Sequence, residues 1–205
     1  MEDQYEVIKQ YHRDHPKFDR NKIMEAVQMM ITALGDDPTR EGLVGTPDRV
    51  ARAFEEMFEG MAFTNEEISQ MFDTTFTEDS EGLVAITNIP IFSTCEHHFL
   101  LMFDMRVHIG YIPNGKVIGL SKAARVAEMV GHRLQLQERI GDDIAEIMMK
   151  ILDTPDVIVV VEGRHGCMEA RGVKSSNSTT RTAAIRGRFD TNNKLRQEFY
   201  SLIKN

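Results

Sequence analysis

The sequence of 205 residues predicts an α+β domain that is preceded by N-terminal helices. In the first third of the chain, apolar residues recur at helical spacing. From residue 82 onward, two segments rich in β-branched and aromatic residues are followed by two amphipathic helices and two further strand-like segments. The order strand, strand, helix, helix, strand, strand is typical of an antiparallel sheet with helices on one face. We therefore divide the chain into an N-terminal helical extension, residues 1–80, and an α+β domain, residues 81–205.

Two helices are predicted in the extension. The first begins near Asn21 and ends at Gly35, and the second begins with Thr46 as its N-cap and Pro47 in its first position. Residues 65–80 are acidic and predict a loop or a weak helix. The apolar positions are Ile23, Val27, Met30, Ile31 and Leu34 in the first helix and Val50, Phe54, Met57 and Phe58 in the second. We expect the extension to pack on the main domain or on a neighbouring subunit.

The α+β domain is predicted to contain one strand pair before two helices and, after them, a single strand followed by a second strand pair. The strands are expected at residues 83–92, 105–112, 157–161, 167–173 and 180–189, the third being a single strand after the helices. Ser121 is predicted to cap the first helix, and Pro155 ends the second. The apolar positions are Val126, Met129 and Val130 in the first helix, Ile140, Ile144, Ile147, Met148 and Ile151 in the second, and Leu195, Phe199 and Leu202 in a last helix.

Composition excludes several classes of protein. A net charge of −8 argues against a broad nucleic-acid surface, although it leaves room for a local pocket that binds a small anion. No stretch approaches the roughly 20 apolar residues that span a bilayer. The N-terminus is acidic and has no apolar segment of the kind found in signal peptides. We expect a cytoplasmic protein with no membrane or nucleic-acid partner.

Each of the two cysteines has a histidine close by in the sequence. His98 follows Cys95 by three residues, and His165 precedes Cys167 by two. Catalytic zinc takes three Cys or His ligands and keeps a fourth position for water, so Cys95, His98 and Cys167 are candidate zinc ligands. The alternative is that both cysteines are core thiols with polar neighbours. A structural site with four ligands would add His97 or His165 and leave no imidazole pair for proton transfer.

The two remaining histidines of these motifs are candidate acid/base groups. Adjacent side chains of an extended segment point to opposite faces, so His97 and His98 are not expected to have the same role. His165 and Cys167 would share a face if their segment is a strand. An ordinary histidine pKa of about 6.5 suits proton transfer at neutral pH.

A second group of residues is charged. Lys122 and Arg125 lie one turn apart near the start of a predicted helix, a position suited to a polyphosphate. Arg171 would lie on the same strand face as Cys167. A solvated basic face explains these cations equally well. Glu138 opens a helix, where a carboxylate either stabilises the helix dipole or accepts the paired N–H donors of a guanine edge.

Taken in order, four segments resemble the signatures of the GTP cyclohydrolase I family. They are Ser93–His98, Tyr111–Lys122, Gln135–Arg139 and His165–Gly172, and the likeness also covers Gly45–Ala51 and runs to about Phe189. The departures, Phe99–Met102 and Leu134 without the proline that many members carry, affect loop shape only. The resemblance implies the tunnelling fold, whose subunits join their sheets into rings, usually two stacked pentamers with active sites at subunit interfaces.

The resemblance also implies an activity and a role for each motif residue. The reaction is the zinc-dependent hydrolysis of GTP to 7,8-dihydroneopterin triphosphate and formate, the first step of pterin and tetrahydrofolate synthesis. The zinc ligands are Cys95, His98 and Cys167. The catalytic residues are His97, His165 and, near the ribose, Ser121. The residues that bind the guanine are Glu138 and Gln137. Those that bind the triphosphate are Lys122, Arg125 and Arg171, together with Arg52, which comes from a neighbouring subunit.

Two other functions remain open at this point. A related tunnelling-fold enzyme would act on another pterin or deazapurine, and release of formate from GTP would distinguish it. A non-catalytic interaction module stapled by zinc would have a coordinatively closed metal and would not bind GTP.

Overall fold

The computed structural model describes residues 4–14 and 17–204. Its centre is a five-stranded sheet in the order β5-β2-β3-β6-β7. A small second sheet pairs β1 with β4. The strands are β1 Thr75–Thr77, β2 Val84–Cys95, β3 Leu101–Tyr111, β4 Lys116–Ile118, β5 Leu134–Gln135, β6 Val157–His165 and β7 Thr180–Ile185.

The helices lie before, between and after these strands. The N-terminal ones are α1 Gln4–Asp14, α2 Arg20–Ala33, α3 Thr46–Met57 and α4 Asn65–Met71. The others are α5 Leu120–Gly131, α6 Gln137–Leu152, α7 Gly166–Glu169, α8 Arg188–Thr191 and α9 Asn193–Leu202. Among the described residues, no helix is long and apolar enough to cross a membrane.

The strand pairing confirms the predicted α+β class and its ββααββ order. β2, β3, β6 and β7 form an antiparallel meander, interrupted by α5 and α6 between β3 and β6. The short β5 runs parallel to the end of β2, pairing Cys95 with Gln135. In the described part of the chain, β7 pairs with a strand on one side only, and β5 covers only the last two residues of β2.

The main core lies between the sheet and α5 and α6. The predicted apolar stripe of α6 is buried throughout, since Ile140, Ile144 and Met148 are fully covered. The other face of the sheet is covered in part by α9, the predicted last helix, in which Phe199 is buried but Leu202 is 50% exposed. There Phe199 packs on Gly110, where an added Cβ would lie 2.5 Å from the Phe199 ring.

The N-terminal helices differ in how much apolar surface they bury. α4 begins with a capping box between Thr64 and Glu67, so the first part of the stretch expected to be a loop or a weak helix is helical, whereas β1 in the same stretch was not predicted. α2 forms as predicted, but it has no buried residue, and Met30 and Leu34 are 63% and 83% exposed. The proposed division of the chain at residue 80 stays a prediction.

Three predicted boundaries were wrong. Gly45 and Gly119 are the N-caps of α3 and α5, so Thr46 and Ser121 lie inside the first turn of their helices. The last strand ends at Ile185, because Gly187 adopts a φ of +60° and α8 follows.

The predicted strand at residues 167–173 is absent from the described residues. The segment forms α7 and a turn instead, with Gly172 at a φ of +61° and the N–H of Ser175 donating to the oxygen of Met168 at 2.9 Å. Glu169 is held back by Arg164 through two hydrogen bonds of 2.8 and 2.7 Å. The side-chain alternation expected for Cys167, Glu169 and Arg171 therefore does not apply.

Candidate metal centre

A tight turn after β2 positions the first two candidate ligands. The N–H of Phe99 donates to the oxygen of Cys95, and the N–H of Cys95 donates to the oxygen of Leu100, each at 2.9 Å. Phe99 has a φ of +54°, in the left-handed region, which lets the chain reverse within a few residues. The turn brings His98 back to Cys95.

The third candidate ligand comes from the segment after β6. An added Cβ on Gly166 would lie 3.0 Å from the oxygen of Leu101, so this glycine lets the start of α7 approach β3 closely. As a result, the ligand atoms of Cys95, His98 and Cys167 all lie within 4.8 Å of one another. The structure therefore brings together the three residues that the sequence singled out.

The chemistry of these three donors fits zinc. Two sulfurs and one imidazole nitrogen are the ligands that zinc prefers, and three of them leave a position open for water. Burial and the neighbouring Cys95 raise the pKa of the Cys167 thiol. A divalent cation reverses that effect, because it binds thiolates and favours their deprotonation.

Arg171 contacts the cluster directly. Its Nη1 donates to Nε2 of His98 at 2.7 Å, and its side chain is otherwise exposed. Because the segment from Cys167 onward is a helical turn and not a strand, Arg171 reaches His98 from the residues just after α7. A cation therefore lies beside the three candidate ligands.

The two histidines expected to transfer protons have different surroundings. His97 is exposed, and its Nε2 lies 4.0 Å from a carboxylate oxygen of Glu96. His165, at the end of β6, is half-buried, and its Nε2 lies 2.8 Å from Oε1 of Gln137. Burial lowers the pKa of His165, and the nearby Glu138 opposes that shift.

The first turn of α6 is joined to the turn after β2 by an ion pair that sequence reasoning missed. Arg139 Nη1 donates to Glu96 at 2.7 Å, and its hydrogen bond lowers the pKa of the Glu96 carboxyl. Glu96 lies between the ligand Cys95 and His97, whereas Arg139 follows Glu138. Both residues stand in the recognised motifs, but no spacing in the sequence connects them.

Ser121, Lys122 and Arg125 lie away from the cluster of the same chain. The start of α5 lies near the first residue of β2, because the N–H of Ile118 donates to the hydroxyl of Tyr111 at 3.4 Å and Tyr111 pairs with Val84. The end of α5 lies near the cluster, since an added Cβ on Gly131 would be 2.7 Å from the oxygen of Phe92. At 1.5 Å per residue, Ser121 is about 15 Å from Gly131 along the helix axis.

We call the turn after β2, α7 and the first turn of α6 the metal end, and the first turns of α5 the cation end. The structure unites the metal end within one chain and holds the cation end apart from it. Arg52, the remaining predicted contact, is exposed on α3 and pairs with Asp48 of the same helix at 2.9 Å.

The fold and these donors define a class, an α+β protein with three side chains that could hold a metal ion and with adjacent imidazoles. The chain belongs to the GTP cyclohydrolase I family, whose model matches residues 23–204.

Three relatives named GTP cyclohydrolase 1 illustrate how close this likeness is. The one from Clostridium beijerinckii is 50% identical over 92% of this chain and 98% of its own length. One from Clostridium botulinum is 53% identical over 84% of this chain and 91% of its own length. One from Ruminiclostridium cellulolyticum is 51% identical over 91% and 98%, respectively. The family identified from the sequence motifs, with its tunnelling fold, is confirmed.

Proposed function

We propose that this protein hydrolyses GTP to 7,8-dihydroneopterin triphosphate and formate at a zinc ion held by Cys95, His98 and Cys167. The observation that carries the proposal is the convergence of these three donors, from segments some seventy residues apart, in a chain of this family. Net hydrolysis consumes one water molecule and removes C8 of guanine as formate.

Zinc, when bound by this set, supplies a Lewis acid that lowers the pKa of a water molecule towards about 7. The chain's own residues position the purine and move protons. His165 or His97 protonates N7 of the guanine, which makes C8 open to attack by water. His97 is adjacent to His98, and His165 lies two residues before Cys167, and this proximity to the candidate ligands supports the role.

Glu138 is the proposed guanine acceptor. It is exposed in the first turn of α6, close enough to His165 to affect the pKa of that imidazole. A carboxylate there accepts one hydrogen bond from N1–H of guanine and a second from its amino group. Adenine would leave the acceptor unsatisfied, which is an expensive mismatch.

The triphosphate is proposed to bind across two chains. Arg171 lies at the metal end, whereas Lys122 and Arg125 lie at the cation end, about a helix length away. A neighbouring subunit is proposed to supply the cation end to each metal end, with Ser121 near the ribose and Arg52 as a further contact. The free edge of β7 and the uncovered apolar face of α2 support an oligomer, for which we propose two stacked pentamers.

A direct assay tests the proposal. Purified protein of known zinc content is incubated with GTP, and formate and the ultraviolet change of a dihydropterin are measured. Both products should appear in equal amounts. If the protein released no formate from GTP but converted another pterin or a deazapurine, the alternative of a related tunnelling-fold enzyme would be favoured. Failure to bind GTP in calorimetry, with a closed metal site, would favour the interaction module.

A further inference from the structure

Gln137 is buried, and its side-chain amide makes three hydrogen bonds to other described residues. It is the first residue of α6 and only 2% exposed. Its Nε2 donates to the oxygen of Val161 and to the oxygen of Thr180, each at 3.0 Å. Its Oε1 lies 2.8 Å from Nε2 of His165. No hydrogen of this amide remains for a ligand.

The two carbonyl groups determine which way the amide faces. A backbone carbonyl oxygen only accepts hydrogen bonds, so the amide NH₂ must point to Val161 and Thr180. Rotating the amide by 180° would place Oε1 against both carbonyl oxygens and leave all three acceptors unpaired, a costly arrangement at a buried site. The amide oxygen must therefore face His165.

The orientation of the amide in turn determines the tautomer of His165. An amide oxygen accepts only, so Nε2 of His165 must carry the hydrogen. In the neutral ring the lone pair is then on Nδ1.

We infer that Gln137 is a positioning residue, which holds His165 as the Nε2–H tautomer so that Nδ1 exchanges protons with the substrate. This inference rests on the proposed function and departs from the role that the family resemblance implies for Gln137. Gln137 was expected to bind guanine, but its amide is committed to two carbonyls and an imidazole. Selection of guanine then falls to Glu138, the next residue, while Gln137 acts through His165.

Kinetics of Gln137→Met separate the two roles. Methionine has a similar length and volume but neither donates nor accepts as an amide does, so the ring of His165 loses its anchor. We expect kcat to fall by about 10²-fold, the size of a general acid–base contribution, with KM for GTP unchanged within about twofold. A KM raised about tenfold or more with kcat preserved would show a guanine ligand and overturn the inference, as would unchanged kcat and KM.

Gln135→Met is the matched control. Gln135 is also buried, and its Nε2 donates to Asp143 at 3.0 Å, but it does not contact His165. We expect this variant to lose thermal stability and to retain kcat within about threefold, because the side-chain hydrogen bonds that it loses go to Val130 and Asp143 and not to His165 or to a candidate zinc ligand. An equal loss of kcat in both variants would mean that Gln137 acts only through the fold. Zinc content is measured for both variants, and both should remain fully loaded.

Nitrogen NMR of the wild-type protein tests the tautomer without any variant at Gln137. Histidine is labelled with ¹⁵N in the zinc-loaded protein, and the His165 signals are assigned by their loss in His165→Asn. We expect a protonated, pyrrole-type Nε2 and an unprotonated, pyridine-type Nδ1. The reverse pattern would overturn the inference whatever the activity. If the wild type released no formate from GTP, the proposed function would fail while this spectrum still decided the hydrogen bond.

Discussion

The metal end and the cation end contain equally recognisable motifs, but only the residues of the metal end come from several segments that contact one another within one chain. At the metal end, residues from the turn after β2, from α6 and from α7 contact one another within one chain. At the cation end, Lys122 and Arg125 lie on α5 at the opposite end of the domain. Contacts within one chain can therefore bring a candidate metal centre together, whereas the proposed site for the whole nucleotide takes its cation end from a second copy.

The largest effect is expected from the metal end. Cys167→Ala removes one of three ligands, so we expect loss of zinc and of all detectable formate release, because a site with two ligands binds zinc weakly. Metal analysis and the formate assay measure both. His97→Ala should keep zinc and lose most activity, since His97 is not part of the ligand cluster.

Lys174→Ala serves as the control for this segment. It is exposed in the turn after α7 and has no proposed role, so zinc and turnover should be retained. A wild-type zinc content in the Cys167→Ala protein would contradict the proposed ligand set. The metal end would then no longer be defined by its three ligands.

Complementation tests whether the two ends meet across chains. Lys122→Ala and Cys167→Ala should each be nearly inactive. The two variants are unfolded together and reassembled. The Lys122→Ala chain still has an intact metal end, and the Cys167→Ala chain still has an intact cation end. A site that takes the metal end from the first chain and the cation end from the second should therefore regain activity. Random assembly makes roughly a quarter of the sites intact.

Mixing the two folded variants without reassembly is the control, and it should show no recovery. If co-assembled protein of confirmed mixed composition also stayed inactive, the nucleotide site would have to lie within one chain.

The variant Glu138→Gln tests whether the metal end selects guanine. The amide keeps one acceptor but loses the charge and the second acceptor, so we expect kcat/KM for GTP to fall on the order of 10²-fold with zinc retained. Glu128→Gln, an exposed carboxylate on α5, is the matched control and should change little. A Glu138→Gln protein with normal kcat/KM would place guanine selection elsewhere.

The sequence predicted those features that depend on local chemistry. The stripe of α6 was sufficient to predict the helix, which the structure confirms, and the Cys–His spacing identified three candidate ligands, which the structure brings together. The strand expected at residues 167–173 failed because Arg164 holds Glu169 and Gly172 turns the chain, effects that residue propensities do not contain. The Glu96–Arg139 pair and the anchoring of His165 by Gln137 depend on tertiary contacts between segments far apart in sequence.

The smallest effect is expected for the pair that joins two parts of the metal end. Arg139→Met removes the hydrogen bonds to Glu96, so the turn carrying His97 loses one attachment to α6. Because both side chains are partly exposed to solvent, we expect only a 3- to 10-fold loss in kcat/KM, with zinc retained. Glu96→Gln should give a similar loss, and the double variant no more than either alone, since one interaction is removed in each case. The exchange Glu96→Arg with Arg139→Glu should recover part of the activity. Strictly additive losses would mean that the two residues act separately, and the metal end would then be held together by its ligands and the Gln137–His165 contact alone.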